Sequence, residues 1–185
     1  MNQRKESRSG LVTIIADETT MALARELYGK CPEANREARL FNLENMRIEP
    51  CYACHGCEEK TYGRCVVRDD ADLILPFAAH AETIVIFTPV VFGGYSFRVK
   101  RIVDKLGLIG DRHYFFQKGE LTKGEPSGRN YYVVGIQAGV DKEEAAAFKY
   151  LINETLKLAT WSGGPIVMPH ETNEYNAMIR EATCS

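Results

Sequence analysis

The chain has 185 residues, 45% hydrophobic and 26% charged, enough to bury the core of one ordinary globular domain. Its formal net charge of -2, with no block of Lys or Arg, gives no electrostatic footprint for nucleic acid or an anionic membrane surface. No apolar run approaches the roughly 20 residues that cross a bilayer, and the polar opening lacks the apolar segment of a secretory signal; a cytoplasmic protein in a reducing compartment is expected.

Residues 1–10 read as a disordered lead-in and residues 11–185 as one domain. The run 11–16 is apolar and β-branched without polar alternation, the pattern of a strand buried on both faces. Residues 21–29, with Leu23 and Leu27 four apart, predict a helix ended by Gly29, and 39–43 is a weaker strand candidate. The cysteine-rich segment 49–68 interrupts the rhythm, after which 70–79 predicts a helix bent or stopped by Pro76.

Residues 83–87 predict another strand. A helix then starts at Ser96 as N-cap, with Phe97, Ile102, Val103 and Leu106 inward and Arg98, Lys100, Arg101 and Lys105 on a solvated face. The polar segment 110–130 reads as irregular, although His113, Tyr114, Phe115 and Phe116 make part of it aromatic. A strand at 131–136 leads into the clearest helix, 142–160, where Phe148, Leu151, Ile152, Thr155, Leu156 and Ala159 form a buried stripe and Asp141, Glu143 and Glu144 suit its positive end. A strand at 165–168 follows.

Strand and helix alternate throughout. Right-handed crossovers then dictate an α/β architecture, a doubly wound five-stranded parallel sheet of order 2-1-3-4-5 with helices on both faces. Ligands of such sheets sit beyond the carboxyl ends of the strands, so the loops after Ala16, Thr88 and Gln137 are expected to converge on one site, with the cysteine segment beside it.

Four of the six cysteines fall within fifteen positions, as Cys51-x2-Cys54-x2-Cys57-x7-Cys65. In a reducing compartment such a cluster points to metal binding or redox chemistry rather than disulfides. Four thiolates match the stoichiometry of one iron–sulfur cluster. Zinc also takes four thiolates, but its structural sites pair two short Cys hairpins across a longer stretch, so this spacing favours [4Fe–4S]. His55 reads as a solvent-facing or supporting residue rather than a ligand, and Cys31 and Cys184 show no partner spacing. The four histidines, His55, His80, His113 and His170, form no nucleophile or metal motif.

Two blocks, CYACHGCEEKTYGRCVVRDD from Cys51 and TPVVFGGYSFRVKRIVDKLG from Thr88, resemble the iron–sulfur flavoproteins and their relatives among the NADPH-dependent FMN reductases, a flavodoxin-like family. The resemblance implies that Pro89, Val90, Val91, Phe92, Gly93 and Gly94 line the isoalloxazine ring of FMN, and that Gly139 belongs to a further flavin loop. A plain turn is the alternative for Gly93 and Gly94. In the family the first loop carries a Ser-Pro-Arg-x-x-Gly-Asn-Thr-like segment around the FMN phosphate. Here Asp17, Glu18, Thr19 and Thr20 run straight into the helix. Thr19 and Thr20 offer hydroxyls and N–H groups at a helix N-terminus, while Asp17 and Glu18 repel a phosphate.

The leading expectation is a redox protein passing electrons between a [4Fe–4S] cluster and FMN, with a redox partner protein or a small-molecule electron acceptor. One alternative is an NAD(P)H-dependent FMN or quinone reductase, NAD(P)H being the donor. Another is a flavodoxin-like scaffold that has lost FMN through its shortened phosphate loop. The resemblance also implies a homo-oligomer.

Overall fold

The computed structural model describes residues 10–109, 114–117, 119–123, 129–139 and 141–169. The elements run β1 (Leu11–Ala16), a 3-10 turn (Glu18–Thr20), α1 (Met21–Lys30), β2 (Glu37–Asn42), α2 (Gly56–Glu59), α3 (Ala71–His80), β3 (Thr83–Pro89), α4 (Phe97–Leu106), β4 (Tyr114–Gln117), β5 (Glu120–Lys123), β6 (Asn130–Gln137), α5 (Lys142–Ala159) and β7 (Ser162–Pro169). The lead-in 1–9, His113, His170 and Cys184 lie outside the described residues.

The main sheet is five-stranded, in the order β2-β1-β3-β6-β7, and all its pairings are parallel, so the expected doubly wound topology is the observed one. Every residue of β1 is buried, as is every residue of β3 up to Thr88, because helices cover both faces. One face packs Ile15, Ile84, Ile86, Tyr131 and Val133 against α3, α4 and α5, through Ile74, Val99, Ile102, Phe148 and Ile152. The other packs Val12, Ile14, Val85, Phe87 and Val134 with Ala24 and Leu27 of α1 and with Cys31.

Several local expectations are corrected. Gly29 does not end α1, which continues through Lys30, with the Cys31 N–H on the Leu27 carbonyl; Pro32 follows and disfavours further helix. Pro76 lies inside α3 without stopping it. Part of 110–130 is a hairpin, β4 paired antiparallel with β5.

Ser96 caps α4 as expected, accepting from the Val99 N–H. The inward stripe, however, is Val99, Ile102 and Leu106. Phe97 stands about 200° around the helix from Val99 and is 63% exposed, lying beneath the Arg98 and Arg101 guanidiniums at 5.1 and 5.5 Å. Lys105, expected on the solvated face, is buried against Asp69. In α5, Phe148, Ile152 and Leu156 form the buried stripe and Asp141 caps the N–H groups of Glu143 and Glu144.

Gly163 holds φ at +117° in β7, and a Cβ there would stand 2.2 Å from the Tyr131 carbonyl oxygen. No flexible side chain can yield to relieve this contact. Gly163→Ala is therefore expected to cost about 3 kcal/mol or more, read as a lower midpoint in urea with an unchanged slope.

Candidate functional site

Two regions carry the sequence motifs. The first is the segment between β2 and α3. Cys51 and Cys54 are exposed, Cys57 and Cys65 half-buried, and all four line one cavity of about 160 Å³, closed on the other side by Lys105, Gly107 and Leu108 at the end of α4. Among the described residues, no three Cys, His, Asp or Glu side chains stand close enough to hold a metal ion as placed. The thiols share a cavity without converging on a point.

The backbone of this segment is unusual for its sequence. Ala53 and His55 are left-handed, at φ +49° and +55°, although neither is Gly and each pays strain for the conformation. Left-handed residues of this kind contribute to the backbone concavities that bind anions and surround many iron–sulfur sites. Gly56 allows the turn to close: a Cβ there would meet Val66 Cγ1 at 2.4 Å, with Cys54 Sγ at 3.5 Å. The Thr61 hydroxyl donates to the Arg64 carbonyl at 2.6 Å and lies 3.2 Å from that of Gly56. This draws the limb bearing Cys65 onto the short helix bearing Cys57. His55 lines the same cavity, with its Nδ1 3.0 Å from Glu58 Oε2.

The base of the segment is tied. The Asp70 N–H donates to the Arg47 carbonyl at 3.1 Å and the Asp70 carboxylate accepts from the Arg47 N–H at 2.6 Å. Asp69 accepts from the N–H groups of Glu49 and Ala71 at 2.8 and 3.0 Å, and its Oδ2 also accepts from Lys105 Nζ. The side chains of this ion pair are only 1% and 4% exposed. Burial pushes the Asp69 carboxyl up, but the Lys105 hydrogen bond and the two N–H donors outweigh it and hold the group below its ordinary value. Arg101 adds a bond to the Ile48 carbonyl at 3.1 Å.

The second region is the carboxyl edge of the sheet. After β3, Val91 and Gly94 exchange backbone hydrogen bonds of 3.0 and 2.9 Å, with left-handed Phe92 (φ +49°) and Gly93 (φ +71°) between them. This is the two-residue turn of a tight hairpin, and a bulky residue in its first position is strained. The turn presents Phe92 to solvent, 95% exposed, with Val91 exposed beside it. Gly93 lies against α5, where a Cβ would stand 2.8 Å from that of Ala147. Val90 and Gly139 come together in the wall of an open pocket of about 290 Å³ with Gln137, Asp141 and Glu144. Below the turn, burial pushes the Tyr95 phenol up to about 12 against the opposing hydrogen bond from Tyr131, so the core under the loop stays uncharged.

The loop after β1 is arranged differently from a phosphate cradle. The buried carboxylate of Asp17 accepts from the Thr19 N–H at 3.5 Å and from Ser96 Oγ. The Asp17 carbonyl accepts both the N–H and the hydroxyl of Thr20, at 3.0 and 2.9 Å. Thr19 is exposed and Thr20 buried. The Ser96 N–H goes to Thr88 Oγ1 at 3.0 Å and that hydroxyl donates to the Pro89 carbonyl at 2.9 Å, so the loop joins the 88–94 turn through Ser96. Neither Asp17–Ser96 nor Asp69–Lys105 is announced by any motif spacing. The available signal was a charged or polar residue at a strand end or on the edge of a helix's apolar stripe.

The NADPH-dependent FMN reductase family model matches residues 14–143, well over half of the chain. An iron–sulfur flavoprotein of Methanocaldococcus jannaschii is 34% identical over 86 residues, 46% of this chain and 44% of that one. One from Archaeoglobus fulgidus is 26% identical over 131 residues, 70% of this chain and 51% of that one. The chain thus spans about half the length of the curated relatives it matches. The fold is similar to an azoreductase from Bacillus anthracis, with TM-score 0.65, 14% identity and 94% and 93% of the two chains covered. It is also similar to part of the rubredoxin oxygen:oxidoreductase of Desulfovibrio gigas, with TM-score 0.58, 13% identity and 97% and 36% covered. The extent of the family match and the flavodoxin-like sheet agree: the chain belongs to the NADPH-dependent FMN reductase family, among the relatives of the iron–sulfur flavoproteins.

Proposed function

We propose that this chain is an electron-transfer flavoprotein of the iron–sulfur type. Cys51, Cys54, Cys57 and Cys65 would hold a [4Fe–4S] cluster, and Pro89, Val90, Val91, Phe92, Gly93, Gly94 and Gly139 would hold the ring of a flavin. The observation that carries the reading is the cysteine segment: four thiols line one cavity, on a backbone bent through left-handed Ala53 and His55. A bound cluster supplies one-electron transfer at a potential set by hydrogen bonds and burial. The chain's part is to present four thiolates, exclude water with Leu108 and Gly107, and keep the loop closed through Asp69 and Asp70. Because ligand convergence is coupled to metal binding, a cavity that gathers the thiols is the relevant feature of the free protein.

On the flavin side the fit is divided. The strained turn offers an exposed aromatic and a glycine beside a pocket, which suits a flat ring, whereas the donors of Thr19 and Thr20 on which a phosphate would rest are engaged by Asp17. Relatives named as iron–sulfur flavoproteins support both halves of the reading. A reduced protein or small molecule would exchange electrons with the site, in a cytoplasmic homo-oligomer. Among the described residues no helix is long and apolar enough to cross a membrane. A second reading, an NAD(P)H-dependent FMN or quinone reductase, is favoured by the family match itself.

The test is an absorption spectrum of protein purified without oxygen, with iron, sulfide, zinc and flavin assays. About four irons per chain with flavin bands is the expected result. Flavin without iron would favour the reductase, and about one zinc per chain would replace the cluster with a structural metal.

A further inference from the structure

We propose that Asp17 already fills the anion position at the carboxyl edge of the sheet, so that the flavin this chain selects is one whose side chain ends in a neutral hydroxyl rather than a phosphate. The inference rests on the flavin reading above and concerns which flavin that site accepts.

In an open parallel sheet an anionic ligand group is held by free N–H and hydroxyl donors where a strand turns into a helix. Here the buried donors of this edge, and the Thr19 and Met21 N–H groups, are engaged within the chain. The Thr19 N–H goes to the Asp17 carboxylate. The Thr20 N–H and hydroxyl both go to the Asp17 carbonyl, and the Met21 N–H goes to the Glu18 carbonyl. The Ser96 hydroxyl, at the start of the neighbouring α4, donates to the other Asp17 oxygen. Asp17, Thr20 and Ser96 are all buried, so the network is closed rather than waiting for a ligand.

Charge points the same way. A phosphate brought to this edge would meet the Asp17 carboxylate at the loop, with Glu18 next to it. The nearby cation Arg98 lies 3.8 Å from Glu18. Asp141 and Glu144 line the pocket on the far side of the 88–94 turn. A ribityl hydroxyl carries no charge and can donate to these carboxylates, whereas a phosphate must be desolvated against them.

The full-length protein, stripped of any bound flavin, is titrated with riboflavin and with FMN by fluorescence quenching at low and high salt. Riboflavin is expected to bind at least as tightly as FMN. FMN affinity alone is expected to rise with salt as repulsion is screened. Asp17→Asn keeps one of the two acceptor oxygens, places an NH2 donor where the other stood, and removes the charge; it is expected to shift the riboflavin-to-FMN preference about ten-fold toward FMN. The wild-type salt series stands as an independent test should that variant fold poorly. FMN binding ten-fold or more tighter than riboflavin to the wild type, weakening with salt, would overturn the inference and leave the flavin reading intact. Binding of neither flavin would overturn the flavin reading and this inference with it.

Discussion

Replacing Lys105 by Met is expected to destabilise the fold by about 3–5 kcal/mol, because it leaves the buried Asp69 carboxylate without its counter-charge. The Asp69 side chain is 4% exposed, and the Glu49 and Ala71 N–H groups hold it in place, so it cannot turn to water. Urea denaturation at neutral pH measures the loss. Asp69→Asn is expected to cost less in the Lys105→Met background than alone, since the pair is then removed together.

The pH dependence has a defined sign. Asp69 is held below its ordinary value in the folded state. Its stabilisation is therefore complete above the unfolded carboxyl value of about 3.9 and is lost as pH falls through the folded value. The stability gap between wild type and Lys105→Met should narrow as the pH drops from about 5 to about 2. A gap that stays constant over that range would show that Lys105 acts by packing its stem and not by charge.

Cys57→Ser is expected to reduce iron and sulfide from about four per chain to less than one, while Cys31→Ala leaves both unchanged. The contrast follows from position. Cys57 lines the cavity with Cys51, Cys54 and Cys65. Cys31 is buried with α1 against the opposite face of the sheet, its thiol donating to the Leu27 carbonyl at 3.4 Å. The same iron content in both variants would remove the cysteine segment from consideration as a metal site, and loss of zinc rather than iron in Cys57→Ser would change the metal but keep the ligands.

The sheet was legible because its strands are buried on both faces. A run such as Leu11 to Ala16, with Thr13 as its one polar residue, shows no polar alternation to suggest a solvated face, and Asp141 and Ser96 announce helix starts by chemistry that acts within three residues. Legibility failed where a side chain's partner lies far along the chain. Lys105 looks solvent-facing until Asp69, 36 positions away, is seen beside it. Asp17 looks like a loop residue until Ser96, 79 positions away, completes its shell. Hydrophobicity alone points Phe97 inward, against the helical phase of Val99, Ile102 and Leu106. The cysteine spacing signalled a metal site, but neither the left-handed turns at Ala53 and His55 nor the tie at Arg47 and Asp70 can be read from spacing.

That tie has a consequence for how the family can vary. Residues 47 and 70 are bonded to each other through backbone and carboxylate, so the excursion that follows β2 begins and ends at nearly the same point, at the start of α3. The entropy of closing such an excursion grows only with the logarithm of its length, about 0.6 kcal/mol per doubling. The cysteine segment therefore behaves as a detachable cassette: it can be lengthened, shortened or exchanged for one with other ligands while β2 and α3 keep their places.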